Sequence, residues 1–224
     1  HHRTEVFEKI LMAAGRRPNL GNLGLEHAGV KPDAKGRFAI NPDTLQLGQH
    51  PIFVAGDVNE LHPLLHEAAD DGRLAGANAA KFPHIRAGIR RAPLGVVFSD
   101  PQIGIVGTGY EGLGSCQAMA GEIDYGNQGR ARVQGINQGK VRIYAERHTG
   151  RLLGAELFGP RVEHMSHLLA WAVQQGLTVD QALAMPFYHP VVEEGLRTAL
   201  RNLNANLLHG DPIRCSVTEM GVGA

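Results

Sequence analysis

Lys140-Val141-Arg142-Ile143-Tyr144-Ala145-Glu146, then His148-Thr149-Gly150, then Leu152-Leu153-Gly154-Ala155-Glu156-Leu157-Phe158 reads as two strands joined by a turn. The first run alternates apolar Val141, Ile143 and Ala145 with polar neighbours, the period of a half-exposed strand. The apolar return run after the glycine makes the pair a hairpin. Upstream, Leu94–Ser99 and Gln102–Val106 flank a Ser99-Asp100-Pro101 turn and read as two more strands. Downstream, an amphipathic helix is predicted over about 162–175, with Met165, Leu168, Leu169 and Ala172 on one stripe and Gly176 as its stop. Thr178 caps a short helix through Ala184, with Asp180 in its first turn, and a last helix is expected over about 192–208. Strands followed by helices packed on one face of an antiparallel sheet make this half an α+β domain.

The first half has a different texture. Val6 to Gly15 reads as a strand running into a glycine turn, followed by Arg16-Arg17-Pro18-Asn19. Residues 20–36 are rich in Gly, Asn and Pro and read as an irregular crossover with one short helical turn. Arg37–Ile40 and Ile52–Ala55 read as short strands, the second buried and ending in Gly56-Asp57. From about 64 to 80, Leu65, Ala68, Ala69, Leu74, Ala75 and Ala77 recur at helical spacing. Residues 81–93, with Pro83, Gly88, Pro93 and three arginines, form the expected domain boundary.

Lys+Arg and Asp+Glu balance at 22 each, so no net field draws the chain to nucleic acid or to a membrane surface. No apolar run reaches the roughly 18–20 residues that span a bilayer, and a cytoplasmic protein is expected. The two cysteines, Cys116 and Cys215, form no C-x-x-C pair, which fits a reducing compartment and gives no metal site. His1 and His2 read as a purification tag and stand outside the fold argument.

Two places carry candidate chemistry. In Phe187-Tyr188-His189-Pro190-Val191-Val192-Glu193-Glu194, an imidazole precedes a carboxylate by five residues. Proline holds His189 in an extended segment, and Glu194 falls in the first turn of the next helix, within reach of a folded-back ring. On spacing alone, a structural His–Glu pair and a catalytic one are equally good readings, and Glu193 points elsewhere. In Ile52-Phe53-Val54-Ala55-Gly56-Asp57, glycine lets backbone approach a ligand closely and Asp57 can accept hydrogen bonds from sugar hydroxyls. The same residues also suit an Asx turn or an N-cap.

The order of these segments resembles the C-terminal part of the flavin-dependent pyridine nucleotide-disulfide oxidoreductases, lipoamide dehydrogenases above all. Ala14-Gly15-Arg16-Arg17-Pro18-Asn19, the Gly56-Asp57 strand end, Leu64-Leu65-His66-Glu67-Ala68-Ala69-Asp70-Asp71-Gly72, Ser99 to Gly107, Arg151 to Pro160 and His189-Pro190 to Glu194 follow one another as in that family. The resemblance covers about residues 4–208. It implies residues 1–17 as tag and the end of a nicotinamide domain, 18–90 as an incomplete remnant of an α/β flavin-binding domain, and 91–208 as a dimerisation domain with a tail over 209–224. It implies Gly56 and Asp57 at the ribityl chain of FAD, His66, Glu67 and Ala68 beside the flavin, and a homodimer through 94–208. His189 would deprotonate a dithiol substrate and Glu194 would orient it, with both reaching the partner's active site. Val191 departs from the family, which usually has Thr there. The helix carrying Trp171 is expected to serve core and interface.

Several parts of such an enzyme have no counterpart here. One G-x-G-x-x-G match, at Gly107, Gly109 and Gly112, precedes a polar, Gly-dotted run and reads as chance. No C-x-x-x-x-C pair is present to exchange electrons with a dithiol. The expectation is therefore a fragment, inactive alone and binding neither FAD nor NAD(P), whose parent uses both. The alternatives are a stand-alone dimerisation module without catalysis, or a glutathione-reductase-like or mercuric-reductase-like branch, the last disfavoured by a lone Cys215.

Overall fold

Lys140–Glu146 (β4) and Leu152–Gly159 (β5) form the predicted antiparallel hairpin, with Ile143 opposite Ala155 and Val141 opposite Leu157. The computed structural model of the chain describes residues 3–113 and 118–209. Around the hairpin stand β1 (Leu94–Val97), β2 (Gln102–Gly107) and β3 (Ala118–Asp124), in the order β1-β2-β5-β4-β3 with every pairing antiparallel. The helices are α1 (Leu65–Lys81), α2 (Gly129–Gln134), α3 (Val162–Gln174), α4 (Val179–Leu183) and α5 (Glu194–His209).

The chain divides into two units between Arg90 and Arg91. In the second, one face of the sheet presents Val106, Val141, Ile143, Ala155 and Leu157 to a core completed by Val162, Met165 and Leu169 of α3 and Leu196, Ala199, Leu200 and Leu203 of α5. Each fully buried Val, Leu, Ile or Met side chain among them contributes about 1.5–3 kcal/mol. Glycines set how closely the helices lie. A Cβ on Gly121 of β3 would stand 2.2 Å from the Ala199 carbonyl oxygen and 2.3 Å from the Leu203 nitrogen, so α5 rests directly on the β3 backbone. The opposite sheet face leaves Val97, Ile103, Ile105 and Phe158 exposed. Thr178 caps α4 in a full capping box with Gln181, and Gly176 takes a left-handed φ of 64° after α3.

Strand β3 and helix α2 were not expected. Their stretch carries glycines and charges that hide the period, and β3 is fixed instead by pairing along its whole length with β4. The G-x-G-x-x-G match leads from β2 into a 3-10 turn over Tyr110–Leu113, and the next element among the described residues is the strand β3, where a dinucleotide fingerprint would be followed by an α-helix.

The first unit departs further from the sequence reading. Residues 6–15 form no strand, and Val6, Ile10, Leu11 and Met12 are at least 80% exposed. A strand needs a partner ladder, and among its described residues this unit holds only isolated bridges, Ile40 with Leu47 and Gln46 with Phe53. The readings of 37–40 and 52–55 as strands reduce to those single bridges. Its core is small, built on Val30, Leu47 and Val54. Helix α1 stands where the period placed it, but its buried face is polar: Glu67, Asp71 and Asn78 are buried beside Ala75, whereas Leu65 is 88% exposed. Arg90 answers this polarity, its guanidinium lying 3.2 Å from Glu67 and 2.7 Å from Asp71. Cys116, Cys215 and residues 210–224 lie outside the described residues.

Candidate active site

His189 sits on the loop between α4 and α5, and Glu194 opens α5. The His189–Pro190 peptide is cis. The imidazole Nδ1 lies 2.9 and 3.0 Å from the two carboxylate oxygens of Glu194, and the Val191 N–H donates to the same carboxylate at 3.2 Å. An ionised carboxylate only accepts, so Nδ1 carries the hydrogen, and in the neutral form of the ring the lone pair lies on Nε2. The hydrogen bond from His189 is the main cause that holds the Glu194 carboxyl below its ordinary pKa; desolvation opposes it, and the Val191 N–H and Arg197 add to it. The ring is 80% exposed while the carboxylate is 26% exposed, which suits a base that meets a ligand and a partner that steadies it.

His189 and Glu194 line a cleft of about 570 Å³ together with Asp124, Gln128, Arg130 and Thr198. Glu193 lines a different, apolar depression beside Trp171, Met185 and Tyr188, as its expected orientation requires. Trp171 itself is 70% exposed, so it adds nothing to the core. The spacing reading missed Tyr125 and Gln128, which hold this loop from below. Gln128 donates through Nε2 to the Val191 carbonyl at 2.8 Å, and the Tyr125 hydroxyl lies 3.3 Å from the Val192 carbonyl. Burial drives the Tyr125 pKa above its usual value, so it stays a neutral donor. No local pattern marks either residue for this role, since their partners on the loop lie more than sixty positions away.

In the first unit the Gly56-Asp57 turn is real. Gly56 adopts φ 79° and packs so near the start of α1 that a Cβ would meet Ala68 at 3.2 Å. Its N–H donates to Asp71 at 3.3 Å, and the Asn59 side chain donates to the same oxygen at 2.5 Å. The Asx-turn and N-cap alternatives do not describe Asp57: its carboxylate, half exposed, faces Arg16 at 2.8 Å. Asp57 and Arg16 line a cleft of about 780 Å³ with Asn19, Phe53 and Val54. Of the other flavin candidates, Ala68 approaches the turn, Glu67 is turned inward to Arg90, and His66 is exposed. Among the described residues no cluster of His, Cys, Asp or Glu could hold a metal, and no helix is long and apolar enough to cross a membrane.

Residues 94–200 match the family described as pyridine nucleotide-disulphide oxidoreductase, dimerisation domain. The dihydrolipoyl dehydrogenase of Haloferax volcanii is 30% identical over 206 residues, covering 90% of this chain and 42% of that protein. The mitochondrial dihydrolipoyl dehydrogenase of Rattus norvegicus is 31% identical over 206 residues, covering 91% of this chain and 39% of its own length. Among solved structures, LpdA from Mycobacterium tuberculosis superposes with a TM-score of 0.73 at 28% identity, covering 86% of this chain and 42% of that one. The flavoprotein disulfide reductase RclA from Escherichia coli shares the fold, with a TM-score of 0.70 at 23% identity over 84% of this chain and 44% of that one. The chain thus spans about two fifths of the length of the relatives it matches.

Proposed function

Because the chain belongs to the pyridine nucleotide-disulphide oxidoreductases, through the dimerisation domain matched by residues 94–200, we propose that it is the C-terminal portion of a dihydrolipoyl-dehydrogenase-like enzyme and supplies that enzyme's proton-transfer pair. The observation that carries this reading is the His189–Glu194 contact, with both carboxylate oxygens within 3.0 Å of Nδ1. With Nδ1–H donated to Glu194, Nε2 takes the proton of a substrate thiol and leaves a thiolate, the nucleophile of thiol–disulfide exchange. Glu194 then stabilises the imidazolium and fixes which nitrogen is the base. A group acting in this way contributes typically 10²–10⁴-fold in rate.

The family's flavin fits the first unit at one point. Asp57 offers an acceptor at the rim of the cleft, in keeping with a ribityl contact, while Gly56 is buried against Ala68 and makes the turn that presents Asp57; His66 is exposed near the start of α1, and Glu67 is committed to Arg90. Flavin, when bound, supplies the two-electron chemistry that side chains lack. Neither a dinucleotide fingerprint nor a C-x-x-x-x-C disulfide is encoded in these residues, so the chain by itself is expected to bind FAD negligibly and to turn over no substrate. A symmetric homodimer through residues 94–208 would bring each His189 to the partner's redox centre. The test is the complete product of the gene, assayed for NAD reduction by dihydrolipoamide. Turnover supports the proposal; a flavin-loaded dimer that oxidises no dithiol refutes it.

A further inference from the structure

Between His189 and Glu194 the chain makes two hydrogen bonds at Val191, and they run to opposite sides. The Val191 N–H donates to Glu194, at 3.2 Å, while the Val191 carbonyl accepts from Gln128 Nε2, at 2.8 Å. Gln128 is itself fixed. It is 9% exposed, and its Oε1 accepts from the Ala131 N–H at 2.6 Å as the N-cap of α2. Both ends of one buried amide are therefore used, one on a helix and one on the loop of the candidate base. Next to it, the Tyr125 hydroxyl lies against the Val192 carbonyl, and a Cβ on Gly195 would meet that hydroxyl at 2.3 Å, so no side chain but glycine's fits there.

We propose that Gln128 is a positioning residue for the His189–Glu194 pair: it clamps the Val191 carbonyl so that the Val191 N–H and the imidazole meet the same carboxylate at once. The inference rests on reading that pair as the acid/base unit. A buried amide with donor and acceptor both satisfied is costly to disturb, since a broken partner leaves a desolvated group behind. Val192 is held independently, by its burial and by the Gly195 N–H on its carbonyl at 3.0 Å, so the clamp acts on the segment ahead of it; without the clamp the Val191 carbonyl loses its side-chain donor and the ring is no longer held over Glu194. The charged groups near the carboxylate are His189 and Arg197, with Asp124 and Arg130 across the cleft.

The substitution Gln128→Ser separates the two jobs of the side chain. Serine is a good N-cap and keeps the bond to Ala131, but it is too short to reach Val191. Gln128→Ala, which loses both, serves as the comparison. The readout is the titration of the Glu194 carboxyl, followed by carbon NMR in the native chain and in the His189→Gln, Gln128→Ser and Gln128→Ala variants. The inference expects His189→Gln to raise the Glu194 midpoint, and Gln128→Ser to reproduce at least half of that rise with a smaller loss of melting temperature than Gln128→Ala. Gln128→Ala should give the same rise with a lower melting temperature. A Gln128→Ser titration superimposable on the native one overturns the positioning role while leaving the pair intact. A midpoint that His189→Gln does not move overturns the pair itself, and the role of Gln128 with it.

Discussion

Replacing Gly121 by alanine tests whether the sheet and the candidate site are mechanically one object. The added Cβ meets the Ala199 carbonyl oxygen at 2.2 Å and the Leu203 nitrogen at 2.3 Å, both backbone atoms of α5. Reaching an ordinary contact of 3.4 Å requires about 1.2 Å of separation (3.4 − 2.2). A radial gap of roughly 0.5–1 Å already forfeits a quarter to a half of each dispersion contact. Helix α5 buries Leu196, Ala199, Leu200 and Leu203 on this face. Overpacking of a core commonly costs about 1–3 kcal/mol, and because the obstructing atoms here are backbone, the loss is expected at the upper end, about 3 kcal/mol. With a urea m-value of about 1–3 kcal/mol/M, the midpoint falls by about 1–3 M. The same displacement carries Glu194, the first residue of α5, away from His189. Urea unfolding followed by far-ultraviolet circular dichroism measures the first effect, and the Glu194 titration measures the second. A midpoint within the error of the native one would refute the close approach of β3 and α5.

Arg90→Met leaves Glu67 and Asp71 buried without their counter-charge. Losing one member of such a group costs about 3–5 kcal/mol, and amide hydrogen exchange along α1 should accelerate accordingly. The Glu194 carboxyl is held below its reference value of 4.5, so its contribution to stability is present above that pH and is lost as pH falls through the lower folded value; Glu194→Gln should flatten the acid limb of the stability curve measured by urea titration at each pH. Light scattering at micromolar concentration should give twice the 24.1 kDa mass of one chain, and a mass of one chain throughout would count against the homodimer. Equilibrium dialysis of this chain against FAD should show no tight complex, and a tight one would mean that Asp57 and its turn are not the minor contact supposed here.

How much of this was legible beforehand follows from where the determining contacts lie. The β4–β5 hairpin, α3 with its Gly176 stop and the Thr178 capping box are written in neighbouring residues, and their bounds come out within a residue or two. The His189–Glu194 contact was legible for the same reason, since a loop before a helix start brings the two within reach. Strand β3 was not, because Ala120, Gly121 and Glu122 break the alternation and only the pairing with β4 defines it. Residues 6–15 have the composition of a strand but no partner in this unit to complete a ladder. The apolar count along α1 misled in the opposite sense, because its burial is decided by Arg90, far along the chain. Gln128 and Tyr125 could be found only once the fold had brought them beneath the loop.

The most direct test of the central claim is the substitution His189→Gln in the complete gene product, with dihydrolipoamide oxidation measured at saturating NAD. A glutamine is close to the imidazole in size but carries no charge and has no basic nitrogen that can take up a thiol proton at neutral pH. The account predicts a fall in kcat of roughly 10²–10⁴-fold, with flavin content and dimer mass unchanged. Activity within about twofold of the native enzyme would contradict it, and would leave the His189–Glu194 contact as a structural pair.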